Sequence, residues 1–235
     1  MACTLHGTDI TLVGLERSYY EMTRFSINRQ DLLTTPSAWL AEETAKNFHI
    51  AQERILAIPN FVDIERFKPD PLQPWRECLA EPGAKVITHV SNYRPVKRIE
   101  EVVRAFSVIR KRMRASLVLV GEGPDLPKAE LLARELGIRD DLRLLGNQRP
   151  EPILQASDLF LLPSVAESFG LAALEALACG CPVLGYRAGG LPEVVILDAP
   201  RYAAMRIAAR SHAEKFAPPA IVDRYEQALM QTLGH

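Results

Sequence analysis

Leu117-Val118-Leu119-Val120-Gly121-Glu122-Gly123-Pro124-Asp125 joins an apolar run to a turn and then to the opening of a helix. Four consecutive apolar residues are too few for a helix, and they read as a strand buried on both faces. Gly121-Glu122-Gly123-Pro124 is turn chemistry. Asp125 is then expected to cap a helix with Leu131, Leu132 and Leu136 on one side, and Gly137 ends it as a C′ residue does. Continuous apolar strands alternating with amphipathic helices are the unit of a parallel sheet covered on both sides.

Outward from this stretch the unit repeats. Val86 to Val90, Leu142 to Leu145, Leu159 to Leu162 and Pro182 to Leu184 read as further strands. Ile99, Val102, Val103, Phe106 and Ile109 recur at three and four, so a helix starts near Lys97. Ser168 to Cys179 is a second helical stretch. The first part of the chain shows the same grammar less completely. Strands are expected at Cys3 to Leu5, Leu32 to Thr35 and Ile55 to Ile58. Tyr19 to Asn28 reads as a helix, and Ser37 caps another that runs to about Phe48. The tail is helical, from Tyr202 to Lys215 and from Ala220 to Leu233. Pro69, Pro71 and Pro74 mark a linker. The organisation expected is therefore 1–69, a linker over 70–84, a second domain over 85–199, and C-terminal helices over 200–235.

Composition removes several classes of function. The 235 residues carry 28 Lys plus Arg against 29 Asp plus Glu, a net charge of -1. A nucleic-acid binder shows a basic surplus, which is missing here. The longest apolar run is four residues, so no membrane span is expected. Met1 to Asp9 has no basic region and no long apolar core, so it does not read as a signal peptide. Cys3, Cys78, Cys179 and Cys181 lack metal-ligand spacing and read as buried free thiols of a reducing, cytoplasmic setting. The Gly121-Glu-Gly123 turn lacks the third glycine of a dinucleotide fingerprint, since Leu126 stands there. No phosphate loop of the Gly-Lys-Ser/Thr kind exists.

Three segments carry chemistry. Glu167-Ser-Phe-Gly-Leu-Ala-Ala-Leu-Glu175 follows a strand, which puts it at the carboxyl edge of the sheet, where open α/β sheets bind ligands. Free N–H groups around Ser168 to Leu171 suit a diphosphate, and Gly170 permits close approach. Glu167 can accept from sugar hydroxyls and Glu175 from a ribose. The alternative is that Glu167 is a capping charge and Glu175 a surface residue. Ser91-Asn-Tyr-Arg-Pro-Val-Lys-Arg98 gathers Arg94, Lys97 and Arg98 near a helix N-terminus, where cations oppose the dipole unless an anion sits among them. A solvated basic turn is the other reading. His6-Gly7-Thr8-Asp9 leaves His6 and Thr8 at a strand end, as ligand-facing or merely structural residues, and Asp9 is placed to fix the His6 tautomer.

Taken in order, these segments resemble the retaining GT-B glycosyltransferases of glycosyltransferase family four. Also matching are Ile58-Pro-Asn-Phe-Val-Asp63, Ala156-Ser-Asp158, Pro163-Ser164 and Ala188-Gly-Gly-Leu-Pro-Glu193. The resemblance implies an α/β fold of GT-B type: a Rossmann-like parallel-sheet C-terminal domain that binds a nucleotide sugar, plus a partial Rossmann-like N-terminal acceptor domain. His-Gly-Thr-Asp-Ile-Thr, Thr23-Arg-Phe-Ser26, Val90 to Arg98 and Gly146-Asn-Gln148 resemble the subgroup that moves N-acetylglucosamine from UDP-GlcNAc to L-malate in bacillithiol biosynthesis.

On that resemblance His6, Lys97 and Glu167 are the catalytic candidates, with His6 facing the donor sugar. Lys97 and Arg94 would hold the diphosphate, Glu175 the ribose, and Glu167 with the Phe169, Gly170 and Leu171 backbone the donor sugar and phosphate. Thr8 and Arg24 would lie toward malate, and Asn92, Gln148 and Ser168 complete the substrate-binding set. Asn92 stands where many family members carry arginine, so the diphosphate would lean on Arg94. No nucleophile is evident, and the family mechanism implied is front-face displacement. No metal site and no cofactor are expected, UDP-GlcNAc being a substrate. The family pattern also leads us to expect roughly a hundred further residues before His6 and a shortening after Val195, by domain-size norms. Sheet edges left open by such a truncation could pair two copies into a homodimer.

Overall fold

The computed structural model describes residues 1–195 and 202–233, without the side chains of Asp9, residues 202–204 and Leu233. The expected shortening after Val195 falls at 196–201, outside the described residues. In chain order the elements are β1 (Ala2–Thr4), α1 (Thr8–Thr11), α2 (Tyr20–Asn28), β2 (Leu32–Thr35), α3 (Ala38–Phe48), β3 (Ile55–Ala57), α4 (Arg76–Leu79), β4 (Lys85–Val90) and α5 (Ile99–Arg110). They continue with β5 (Ala115–Val120), α6 (Leu126–Glu135), β6 (Leu142–Leu144), α7 (Pro150–Gln155), β7 (Leu159–Leu162), α8 (Leu171–Ala178), β8 (Val183–Gly185), α9 (Leu191–Val194), α10 (Tyr202–Ala213) and α11 (Pro218–Leu233).

Two parallel sheets result. The first has the order β1-β2-β3, and the second β6-β5-β4-β7-β8. The register in the second sets Leu117 beside both Ile87 and Leu142. Every residue of β5 is buried, which is why its sequence lacks alternation. Ile99, Val102, Val103 and Phe106 of α5 pack on one side of that sheet with Leu117 and Leu119, as their spacing predicts. Val118 and Val120 point to the other side, against Leu79, Ala80, Ile153 and Ala156. The first sheet is covered by Leu40, Ala41 and Phe48 of α3 and by Ile10 and Ile27.

Several local expectations change. Asp125 holds the cap position of α6, but its carboxylate pairs with Lys128 at 2.6 Å and bonds no backbone N–H there. The buried face of α6 is Ala129, Leu132 and Ala133, while Leu131 and Leu136 are exposed. Gly137 does close the helix. It adopts φ +67°, with Gly137 N–H to Arg134 O at 3.1 Å and Ile138 N–H to Ala133 O at 2.9 Å. α8 starts three residues later than expected, because Gly170 sits at φ +94° and Ser168 to Gly170 form a turn. α4, too short for periodicity, turns the end of the proline-rich crossing into core through Leu79. Cys179 and Cys181 are buried free thiols, and burial pushes the Cys179 thiol up to about 12. Cys78, by contrast, is exposed and Cys3 half-buried.

The chain crosses between the sheets twice. It passes once from β3 to α4 and again between α10 and α11. α10 packs on α8. α11 returns to the first sheet, where Ile221 and Ala228 meet Ile58, and Arg224 donates to Ala57 O at 2.7 Å. Among the described residues no helix is long and apolar enough to cross a membrane.

Candidate active site between the two sheets

The site is built where β4 and β7 end. His89, in β4, is fully buried and holds the exit of its strand. Its Nδ1 donates to Leu161 O at 2.7 Å, since a carbonyl can only accept, and its Nε2 takes the Ser91 hydroxyl at 2.8 Å. Burial lowers the His89 pKa to about 4, so the ring is neutral. Ser91 Oγ in turn accepts from Tyr93 N–H at 3.2 Å. The loop that follows is pressed onto the β5–α6 turn. A Cβ on Gly121 would stand 2.0 Å from Ser91 O, and one on Gly123 1.8 Å from Asn92 O. The Gly-Glu-Gly stretch is therefore a packing device for the neighbouring loop.

That loop ends in the turn Pro95–Lys97, and Lys97 reaches the segment after β7. Lys97 Nζ lies 2.6 Å from Glu167 Oε1, with side chains 23% and 8% exposed. Val165 N–H donates to Val96 O at 3.3 Å and keeps the two segments together. From the other sheet, Gly7 closes onto Ser168, whose Cβ and Oγ would lie 2.8 Å from a Gly7 Cβ. The space between is a cleft of roughly 650 Å³. Its walls are Gly7, Thr8, Thr11, Leu12 and Trp39 on one side and Asn92, Arg94 to Lys97 and Val165 to Ser168 on the other.

Of the residues expected in the site, Thr8, Asn92, Arg94, Lys97, Glu167 and Ser168 come together on this cleft. His6 is exposed immediately before Gly7, and the side chain of Asp9 lies outside the described residues. Gly170 and Leu171 form the turn that opens α8. The Phe169 side chain is buried in the core against Phe216, in keeping with an expected role confined to its backbone. Arg98 does not join the cluster. It caps α5 in a left-handed conformation, and its guanidinium lies 4.0 Å from Glu101. Arg24 is half-buried on α2 and does not line the cleft.

Glu175 and Gln148 stand apart, in a second polar group. Gln148 borders Arg149 and Glu151. Glu151 accepts from Arg66 Nε at 3.0 Å and Nη2 at 2.9 Å, and from Arg149 Nε at 2.7 Å. Burial pushes the Glu151 carboxyl up, but these guanidinium bonds outweigh it and bring it down to about 2. Burial pushes Glu175 up to about 7, only partly offset by Arg66. Trp39 and Leu12 are cleft residues outside the motifs, and Thr11, the last residue of His-Gly-Thr-Asp-Ile-Thr, is one to which the resemblance assigns no role. The one signal for Trp39 is its position just inside the Ser37 helix cap. Among the described residues no group of His, Cys, Asp and Glu is arranged to hold a metal ion.

Two parallel sheets facing each other across a cleft, with the Lys97–Glu167 pair at a carboxyl edge, form a GT-B-type arrangement. Residues 74–217 match the family described as Glycosyl transferases group 1, and residues 1–66 match Glycosyltransferase Family 4. The chain belongs to this family of glycosyltransferases. It is 43% identical over 195 residues to the N-acetyl-alpha-D-glucosaminyl L-malate synthase of Bacillus anthracis, covering 82% of this chain and 51% of that protein. It is 36% identical over 169 residues to the D-inositol 3-phosphate glycosyltransferase of Saccharomonospora viridis, covering 66% of this chain and 39% of the other. The chain thus spans about half the length, or less, of these curated relatives. Among solved structures, Alr3699/HepE of Anabaena in complex with UDP and glucose superposes with a TM-score of 0.84 at 21% identity, over 98% of this chain and 71% of that one. The sucrose-phosphate synthase of Thermosynechococcus elongatus gives 0.79 at 20% identity, over 99% and 68%.

Proposed function

We propose that the cleft binds a UDP-sugar, UDP-GlcNAc in particular, and transfers the sugar to L-malate with retention at the anomeric carbon. The observation that carries this reading is the Lys97–Glu167 pair, nearly buried yet facing an open cleft with Arg94 beside it. In transfer from a nucleoside diphosphate, negative charge grows on the departing phosphate. Fixed cations in a partly dry site stabilise that charge more than the ground state. Lys97 and Arg94 do this. The N–H groups of the Phe169–Leu171 turn, at the positive end of α8, add to it. Glu167 has no second side-chain partner among the described residues, so its free oxygen accepts from the sugar hydroxyls. Thr8, on the cleft wall opposite Lys97, and His6, two residues earlier, are assigned to the acceptor and the sugar. Gln148 and Glu175 lie toward the nucleoside, where the Glu175 carboxylate accepts from the ribose. The donor is a substrate, and the reading calls for no cofactor.

Malate rests on the relative that is 43% identical, and an inositol phosphate acceptor is the second reading, favoured by the similarity to the D-inositol 3-phosphate enzymes. Incubation with UDP-GlcNAc and either acceptor, with released UDP as the readout, separates the two. UDP release that depends on L-malate is expected. Release only with inositol phosphate replaces the acceptor. Absence of UDP binding by calorimetry removes the donor site altogether.

A further inference from the structure

Glu193 lies on the second sheet's side of the cleft, yet its carboxylate bonds the first. Its two oxygens accept from Ala38 N–H at 2.9 Å and Trp39 N–H at 3.0 Å, the first two amides of α3. The next two amides are taken by Ser37: Leu40 N–H by its hydroxyl at 3.1 Å and Ala41 N–H by its carbonyl at 3.2 Å. The amides of Ala38, Trp39 and Leu40, which a helix leaves open at its start, are thus satisfied, two of them from across the cleft, and Ala41 N–H to Ser37 O is the first bond within the helix. A carboxylate there is also favoured by the helix dipole. The Ser37 hydroxyl makes a second crossing, donating to Ser168 O.

Glu193 is not free to follow α3. The residues before it, Gly189 and Gly190, lie against the backbone of Glu167 and Ser168. A Cβ on Gly189 would stand 2.1 Å from Glu167 O, and one on Gly190 2.5 Å from Ser168 O and 2.8 Å from Ser37 Cβ. Gly190 N–H also donates to Glu167 O at 2.6 Å. The Glu193 carboxylate is therefore hung from the same segment that carries Glu167 and Ser168. It grips the helix that carries Trp39 into the cleft.

We infer that Glu193 is a positioning residue that holds the two sheets closed over the cleft and links that closure to the occupant of the Glu167–Leu171 turn. The link rests on the reading of the cleft as a UDP-sugar site. The closure itself does not. Glu193 is exposed, so its bonds to α3 exchange readily with water, as a reversible closure requires. A ligand that orders the Glu167–Leu171 turn orders the Gly189–Gly190 contact, and with it the carboxylate that α3 meets.

The test compares the parent chain with Glu193→Ala and Glu193→Gln by small-angle scattering, amide exchange at Ala38 and Trp39, and calorimetric titration with UDP. Glu193→Ala is expected to enlarge the radius of gyration and to speed exchange at those two amides about tenfold, with the interior of α3 around Thr44 unchanged. It is expected to weaken UDP binding about tenfold without moving the urea midpoint, and Glu193→Gln recovers part of each. A lowered urea midpoint with unchanged UDP affinity marks a merely structural cap and overturns the inference. Unchanged scattering and exchange also overturn it. If the parent itself binds no UDP, the reading of the cleft fails, and scattering and exchange alone still decide whether Glu193 closes it.

Discussion

β7 has a nearly buried carboxylate at each end, and the two are treated differently. Asp158, just before the strand, takes Val86 N–H at 2.8 Å, Arg76 at 2.7 Å and Lys85 at 3.2 Å. Its burial pushes the carboxyl up, but the Val86 amide and these cations outweigh that and hold it below the usual range. Glu167, in the segment after the strand, has Lys97 as its one cation among the described residues, and both border open space. The sheet's amino edge spends its carboxylate on holding α4 and β4 to β7. The carboxyl edge leaves hydrogen-bonding capacity unspent. A buried charge with every partner supplied from within is a tie, and one with partners left over is a place for a ligand.

The comparison can be broken in four places. Asp158→Ala leaves Arg76 facing an emptied, mostly buried position and is expected to cost about 3 kcal/mol, read from urea unfolding. Because the folded-state pKa of Asp158 is lowered, its contribution is full above the ordinary value of 3.8 and is lost as pH falls below it. A variant as stable as the parent erases the distinction between the two ends. Lys97→Ala is expected to lower turnover about 10²-fold, which is roughly 2.7 kcal/mol of barrier. Its urea midpoint moves less than that of Asp158→Ala, and the reverse ranking would make the Lys97–Glu167 pair a tie as well.

Gly123→Ala puts a Cβ against Asn92 O, so the loop carrying Arg94 and Lys97 must shift. A loss of about 2 kcal/mol in stability is expected together with weaker UDP binding, measured by calorimetry. Full affinity in that variant would show that the glycine turn does not position the loop. The smallest effect is a pH slope. Glu175 has its folded-state pKa raised from 4.5 to about 7 by burial, so between those values the folded chain binds more protons than the unfolded one. Stability then falls as pH rises from 4.5 to 7, and Glu175→Gln flattens that fall. An unchanged slope would place the titration elsewhere.

Much of this is legible in the sequence. The four-residue runs at Leu117 and Leu159 are strands because apolar residues between glycine and proline turns have little else to form. Five of the expected site residues meet because segments that follow parallel strands must gather at one sheet edge, and Thr8 faces them from the other sheet. What escaped is of another kind. The late start of α8 depends on the left-handed backbone of Gly170, which the helical pattern around it conceals. Arg98 looks like a partner of Arg94 and Lys97 in sequence, but one turn of backbone sends it to the other side of α5. The partner of Glu193 lies 155 positions away at Ala38, and no local pattern encodes such a distance.

The return of α11 has a consequence for how the chain comes into being. Ile221 and Ala228 complete the packing around Ile58, and Arg224 bonds Ala57, 167 positions earlier. On a ribosome the second sheet and its helices emerge in full before that partner arrives. The first sheet is therefore finished after the second, its core waiting on a helix that follows both in the chain. Contacts of such separation are slow to form, because the entropy of closing the loop is lost before they are made.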